Sequence, residues 1–371
     1  GIPMRLMMGS SPRGWTRLSH RSVGAASPPT TIMVATPIDA TTPYLTVIVP
    51  VLDGAETLGL CLGALNESSF GDWELVVVDD GSTDGSDQIA RLAGAEVLRT
   101  AGREGPGAAR NLGASRARGE VLFFVDADCS VTPDTLEKVV GILHREPQID
   151  ALFGSYDDSP SAPGLVARYK NLQHHFVHQQ GREEATTFWA GCGAIRRSVF
   201  ERLGGFDTER FRRPSIEDIE LGARLRRDGG AIRLAKQVQV KHHKAWTFGG
   251  VLRSDLVDRG IPWTLLLLEQ KDSVGGLNVD ARGRLSVVSA LLTVLALVVA
   301  PWWPWALVVA LGATGLLLWL NASFYGLLAR QGGVKLMLTG FVMHGLYQLN
   351  CAVAYLTGLG LHWWRGGRRQ S

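Results

Sequence analysis

Residues 121–128 read Val-Leu-Phe-Phe-Val-Asp-Ala-Asp, an unbroken apolar run closed by two aspartates, Asp126 and Asp128. Five apolar residues with no polar alternation fit a strand buried on both faces, the habit of strands in an α/β sheet. Such strands deliver their last residues to the carboxyl edge of the sheet, where ligands bind. Carboxylate oxygens at that edge suit hard cations such as Mg²⁺ or Mn²⁺. A carboxylate pair after a strand also makes an ordinary solvated turn or helix cap, so the flanking segments decide between the two.

Outward from this stretch, strand and helix patterns alternate. Tyr44 to Val51 is apolar and β-branched, and Leu58, Cys61, Leu62 and Leu65 then recur on one helical face. Glu74 to Val78 predicts a second strand, Asp84 to Leu92 a helix, Glu96 to Leu98 a short strand, and Gly107 to Ala117 a helix leading into 121–125. Alternation of this kind predicts an α/β fold, a mainly parallel sheet with flanking helices on both faces. After Asp150 the pattern loosens into an aromatic and glycine-rich region, 188–206, followed by a helix from Glu217 to Asp228 and a strand from Ala231 to Val240.

At 371 residues the chain exceeds what one hydrophobic core usually serves. Charged residues are spread through the first three quarters, whereas long stretches after Leu285 contain none. The net charge of +3 gives no reason to expect a nucleic-acid partner. Instead Arg282, Arg284, Arg330, Lys335, Arg365, Arg368 and Arg369 flank apolar segments, as basic residues do beside membranes. Cys61, Cys129, Cys192 and Cys351 show no paired ligand spacing and read as free thiols. These features divide the chain into a disordered arm, 1–43, an α/β domain, 44–250, an interfacial linker, 251–284, and a helical transmembrane region, 285–371. Leu285 to Trp305 and Ala306 to Ala329 each approach the ~20 residues that cross hydrocarbon, with Pro301 to Trp305 as an interfacial belt. Leu336 to Trp364 is a third candidate, carrying His344, Gln348 and Asn350, which are costly in lipid unless paired. Two or three helices therefore cross the membrane in this reading, with Ile261 to Leu268 lying on its surface. The expected location is a multi-pass membrane protein whose α/β domain is cytoplasmic.

Four motifs surround the Asp126–Asp128 pair. Asp79 and Asp80 end the second strand, where adjacent carboxylates repel one another unless a ligand or donor holds them, and Gly81 to Ser86 follow as a turn. Gly105, Gly107, Arg110, Asn111 and Gly113 open a helix whose backbone can approach phosphate, with Arg110 free to meet it or to pair with Glu104. Ser215, Glu217, Asp218 and Glu220 begin another helix. A capping box between Ser215 and Asp218 explains one carboxylate, and a general base for a hydroxyl explains a second. Lys241 to Trp246 holds His242 and His243, either able to complete a metal shell.

With these motifs in this order, the chain resembles a family-two glycosyltransferase of the GT-A fold, a large inverting group, over roughly Tyr44 to Trp246. The resemblance implies that Pro50 and the neighbouring Asp53, with Asp79 and Asp80, contact nucleobase and ribose. It implies that Asp128 binds the metal with help from Asp126, and that Arg110 and the metal neutralise a diphosphate. Of Glu217 and Asp218, the aspartate is the implied catalytic base, and His242 or His243 matches a histidine near the metal. Gly191 to Gly193 and Gly204 to Asp207 look like loops facing sugar and acceptor. No Gln and Arg-Trp signature of processive members follows the base. The expectation is a metal-dependent, membrane-anchored, hexosyltransferase-like enzyme using Mg²⁺ or Mn²⁺ and a nucleoside-diphosphate sugar, with a lipid or lipid-linked acceptor. Two alternatives stand beside it: a polyprenyl-phosphate sugar transferase, and a noncatalytic membrane scaffold that binds nucleotide sugar.

Overall fold

The computed structural model describes residues 42–269 and 281–368. The arm expected at 1–43 lies outside these residues but for its last two, as does 270–280 of the expected linker. In chain order the elements are β1 (Leu45–Val51), α1 (Ala55–Asn66), β2 (Trp73–Asp79), α2 (Ser86–Leu92), β3 (Glu96–Arg99), α3 (Pro106–Arg116) and β4 (Val121–Val125). Then come β5 (Cys129–Val131), α4 (Thr135–Arg145), β6 (Ala151–Tyr156), α5 (Leu165–Gln180), β7 (Glu184–Ala185), β8 (Cys192–Arg196) and α6 (Arg197–Arg202). They are followed by α7 (Glu217–Arg227), β9 (Ile232–His242), α8 (Phe248–Arg253), a π-helical turn (Ser254–Gly260) and α9 (Ile261–Glu269). Three further helices close the chain, α10 (Ala281–Val299), α11 (Ala306–Leu320) and α12 (Ala322–Arg368).

Nine strands form one sheet in the order β3-β2-β1-β4-β8-β6-β9-β5, with β7 paired to β9. The first four are parallel, as the alternation predicts. The other half is not. β8 runs antiparallel to both β4 and β6, and β5 and β7 run antiparallel to β9, so the sheet is mixed rather than mainly parallel. The reason lies in residues 186–191. β7 sits opposite Ile232 at the start of β9, and the chain climbs back to the carboxyl rim, where Gly191 accepts a hydrogen bond from the Asp126 amide, before descending as β8.

Alternate residues of the central strands go to opposite faces. Val47, Val49, Val77, Phe123 and Val125 pack under Leu58, Leu62 and Leu65 of α1 and Leu136, Val139 and Leu143 of α4. Ile48, Val76, Val78, Leu122 and Phe124 pack with Ala109 of α3, Phe200 of α6 and Leu221 and Leu225 of α7. Helices on both faces explain why these strands are apolar without alternation. Full burial of each such side chain contributes about 1.5–3 kcal/mol.

The helices after the sheet differ from the two or three separate crossings expected. Among the described residues α10 alone is long and apolar enough to cross a membrane, and its leucines and valines are largely exposed. α11 and α12 amount to a second span only when taken together as one path bent by 69°. The bend falls at Asn321, whose side-chain amide donates to the Leu317 carbonyl and to Ser286 of α10. α12 is broken again at Gly332 and Gly333, the latter at φ +66°. Its inner face packs Phe324, Leu328, Leu336 and Met343 against Tyr169 and Leu172 of α5, so this helix is partly a wall of the α/β domain. Two of the three polar residues that weighed against 336–364 as a span are paired, His344 meeting Tyr325 Oη at 3.0 Å and Gln348 at 2.9 Å, whereas the buried Asn350 Nδ2 has no hydrogen-bond partner among the described residues. The segment 261–268, expected on a membrane surface, forms α9 and buries Leu266 against Phe211 and Ile216.

Close approach of α3 to the sheet depends on a glycine. A Cβ at Gly113 would stand 2.6 Å from Ile48 Cγ2 and 3.1 Å from Val78 Cγ2, both stiff β-branched side chains. Gly113 is therefore a packing residue rather than part of a phosphate cradle. We expect Gly113→Ala to destabilise the domain by about 1–3 kcal/mol in denaturant unfolding. Gly63→Ala, in α1 with nothing within 4 Å of its added Cβ, should be neutral or stabilising.

Candidate active site

The carboxyl ends of β1, β2 and β4 open onto one rim, and the acidic residues there have sharply different surroundings. Asp79 accepts from the Ser82 amide at 2.8 Å and faces Arg99 at 3.4 Å. Asp80 accepts from Thr100 Oγ1 at 2.8 Å, the Glu104 amide at 2.9 Å and the Gly105 amide at 2.8 Å. Both are buried, and Asp79 Oδ2 has no hydrogen-bond partner among the described residues. Through its donors Asp80 fixes the loop that enters α3, where Gly105 takes φ +94°. Pro50 is buried within β1 opposite Val78. Asp53, at φ +47°, caps the neighbouring turn through the Thr83 amide at 2.9 Å and pairs with the exposed Arg103 at 2.6 Å.

Arg110 rises from α3 into the centre of the rim and is almost wholly buried. One guanidinium nitrogen meets Asp126 at 2.7 Å and another meets Glu217 at 3.0 Å. Burial opposes its charge, yet Asp126, Glu217 and Asp218 together hold its pKa above the usual value. It does not pair with Glu104, and its charge is already committed to carboxylates. Beneath it Phe206 offers a ring face 5.6 Å away, and Asn111 clamps the Phe206 backbone with one bond in each direction. Gly204 to Asp207 is thus tied to α3.

At the start of α7 the expected capping box does not form. Ser215 donates its hydroxyl to the Asp258 carbonyl at 2.6 Å, and Glu217 takes the Ser215 amide at 3.0 Å. Asp218 is left with two backbone donors, Ala190 at 3.1 Å and Ile219 at 2.8 Å. Burial, then the neighbouring Glu217 charge, pushes its pKa up to about 6, against the opposing pull of Arg110 and Arg259. A carboxylate so placed is able to take a proton near neutral pH.

Asp128 meets His242 Nε2 at 3.4 Å. The other ring nitrogen of His242, Nδ1, is 2.6 Å from Asn171 Oδ1 of α5, a contact that fixes the ring orientation and turns Nε2 toward Asp128. Tyr156 stacks on the same ring at 4.2 Å. Burial works against the Asp128 charge, but the hydrogen bond and charge of His242, with Lys244, hold its pKa below the usual range. His243 turns elsewhere, to Ser130 at 2.7 Å and Ser161 at 2.8 Å. Of the two histidines, His242 alone joins the acidic cluster.

Three contributors had no signal in the sequence motifs. Asn171 and Tyr156 clamp His242 from α5 and β6. Arg259, in the π-helical turn, lies close enough to Asp218, Tyr156, His174 and His178 to shift all four, and no ion pair engages it among the described residues. A lone arginine inside a segment read as a linker carries no pattern. His178, pushed down to about 3 by burial, stays neutral beside Trp189 and closes this side of the rim.

The mixed sheet, with its acidic carboxyl rim, has a GT-A-like α/β fold. Residues 46–204 match the model of glycosyl transferase family 2. Over 225 residues it is 28% identical to the glycosyltransferase AglE of Haloferax volcanii, spanning 58% of this chain and 71% of that one. A stretch of 161 residues is 27% identical to the glycosyltransferase GlyG of Streptococcus pneumoniae serotype 4, spanning 42% of this chain and 53% of that one. A shorter stretch of 118 residues is 32% identical to a PGL/p-HBAD biosynthesis glycosyltransferase of Mycobacterium tuberculosis, spanning 30% of this chain and 46% of that one. The chain thus spans about half the length of the latter two. Among solved structures, the mannosyltransferase PcManGT from Pyrobaculum calidifontis, in complex with GDP-Man and Mn²⁺, shares the fold with a TM-score of 0.51. Its sequence is 21% identical, over 85% of this chain and 88% of that one.

Removing the Arg110 charge leaves Asp126 and Glu217 facing one another without a partner. Arg110→Met is expected to cost about 3–5 kcal/mol of stability, measured by denaturant unfolding in detergent.

Proposed function

We infer that this chain is a metal-dependent inverting glycosyltransferase that moves a sugar from a nucleoside-diphosphate sugar to a lipid or lipid-linked acceptor. One observation carries the reading: a single buried guanidinium, Arg110, joins the Asp126–Asp128 rim of β4 to the Glu217–Asp218 start of α7. Cation ligands and a proton acceptor are thereby held on one surface, as transfer to a hydroxyl requires.

The donor set fits a divalent cation. Asp128 supplies carboxylate oxygen and His242 an imidazole nitrogen, a pairing that suits Mn²⁺ better than Mg²⁺ because Mg²⁺ prefers oxygen alone. Asp126, fixed by Arg110, stands beside them. Mn²⁺ is also the ion named in the PcManGT complex, together with a nucleoside-diphosphate sugar. When bound, the cation supplies Lewis-acid neutralisation of the departing diphosphate. The protein's own part begins at Asp218, which takes the acceptor hydroxyl proton as the acceptor oxygen bonds to the anomeric carbon and the bond to diphosphate breaks. Proton and leaving group depart on opposite sides of the sugar, which is inversion. Arg110 holds Glu217 and Asp126 in place during transfer. Asp53, Asp79 and Asp80 shape the loops against which the nucleoside is held.

A lipid acceptor is supported by α10, whose exposed apolar face follows Arg282 and Arg284 at its start. Basic residues at that end support a reading in which it faces the cytoplasmic side of a membrane. The alternative acceptor, a polyprenyl phosphate, is favoured by one observation: among the described residues Arg259 makes no ion pair, yet it lies near enough to lower the Asp218 pKa. An anionic nucleophile would meet that charge and need no base. Purified protein incubated with labelled nucleotide sugars and either a polyprenyl phosphate or a neutral glycolipid separates the two. Transfer to the glycolipid alone supports the base mechanism, and transfer to the phosphate alone, abolished by Arg259→Met, supports the alternative. Binding of donor without turnover on any acceptor leaves a noncatalytic scaffold.

Asp218→Asn should lower kcat by roughly 10²–10⁴-fold while leaving donor binding unchanged. Because only ionised Asp218 accepts a proton, activity should be full above its raised pKa. It should then fall as the pH drops through about 6. An ordinary aspartate would place that fall near ~3.9. Asn171→Leu, which frees the His242 ring, should weaken Mn²⁺ binding by roughly 10–100-fold in calorimetry, while His243→Ala leaves it within a factor of about two.

A further inference from the structure

β5 begins at Cys129, the residue after Asp128, and pairs antiparallel with the end of β9 so that Cys129 lies directly opposite His242. Opposed residues of an antiparallel pair project to the same face, which sets thiol and imidazole side by side. Cys129 Sγ is 3.8 Å from Asp128 Oδ1, His242 Nε2 is 3.4 Å from Asp128 Oδ2, and all three donor atoms lie within 4.8 Å of one another. A tetrahedral zinc site, with metal–nitrogen and metal–oxygen near ~2.0 Å and metal–sulfur near ~2.3 Å, has edges of roughly 3.3–3.6 Å. The His242–Asp128 separation already has that size, and the Cys129–Asp128 separation, to the other carboxylate oxygen, is slightly longer. Cys129 and His242 are buried, whereas Asp128 is partly exposed and opens a path for the ion.

The geometry points to a thiophilic cation site, formed by Asp128, His242 and Cys129, that takes Zn²⁺ far more tightly than Mg²⁺. This inference rests on the proposed role of Asp128 and His242 in holding Mn²⁺ and adds sulfur to that set. As the metal–sulfur bond forms, the Cys129 proton passes to solvent, so each Zn²⁺ bound through sulfur releases one. Three protein ligands leave one position open, and Zn²⁺ seated there withholds Asp128 from Mn²⁺. Imidazole and thiolate favour Zn²⁺, while carboxylate alone discriminates little.

Co²⁺ reports the sulfur directly through a near-ultraviolet sulfur-to-cobalt charge-transfer band, read on the purified full chain in detergent without donor. Wild type and Cys61→Ser should show the band, and Cys129→Ser and Cys129→Ala should lose it. The Cys129 variants should also lose about 10–100-fold in Zn²⁺ affinity while Mn²⁺ affinity changes less than about threefold. Cobalt d–d bands without charge transfer in wild type would overturn the sulfur ligand and leave the Asp128–His242 proposal standing. Persistence of the charge-transfer band in both Cys129 variants would also overturn it. Absence of Co²⁺, Zn²⁺ and Mn²⁺ binding together would remove the underlying metal reading as well. The wild-type spectrum decides between these outcomes even if both variants fail to fold.

Discussion

A buried arginine bridging two carboxylates is the constraint on which the site depends. Taking Arg110 out of water is costly, and the cost is met only because Asp126 and Glu217 approach it from different elements, β4 and α7. Either carboxylate alone would leave an unbalanced buried charge. The arrangement holds one element of the parallel half of the sheet against the helix that carries the proposed base, so the cation side and the proton side move as a unit. It also explains the raised pKa of Asp218: with Arg110 engaged by Glu217 and Asp126, too little positive charge remains to offset the burial of a third carboxylate.

A second set of contacts joins the site to the helices beyond the sheet. Ser215, just before α7, donates to the Asp258 carbonyl in the π-helical turn, and Arg210 pairs with Glu269 at the end of α9. The same turn carries Arg259 and, at Asp255, a buried ion pair with Lys170 of α5 at 2.5 Å. α5 in turn contributes Asn171 to His242 and packs Tyr169 and Leu172 on α12. Whatever surface α10 and α12 contact is thus connected to both the histidine and the base through one layer of side chains.

Individual residues show how far a one-dimensional reading reaches. β4 follows the expected bounds because five consecutive apolar residues bounded by acids leave little choice of state. α7 does so nearly as well, since its acids precede its arginines in the order that a helix dipole favours. The partners of Asp79 and Asp80 were not legible beforehand, because, the Ser82 amide apart, Arg99, Thr100 and the amides of 104 and 105 lie some twenty residues on. The sheet was misread for a similar reason: the climb of 186–191 that reverses β8 carries no turn pattern. In the carboxyl-terminal region, composition marked the apolar segments, but the bend at Asn321 and the docking of α12 on α5 depend on partners outside those segments.

The sequence by itself determined the buried strands, the helix faces, the acidic clusters at element ends and the apolar character of the last quarter. These are local matters of periodicity, propensity and composition, written in neighbouring residues. Tertiary structure alone decided which histidine meets Asp128, that Arg110 is spent on two carboxylates, that β8 runs backward, and that Cys129 and Arg259 border the site. Each of these depends on distance between residues far apart in the chain, where charge, hydrogen bonding and register are settled only when the elements pack.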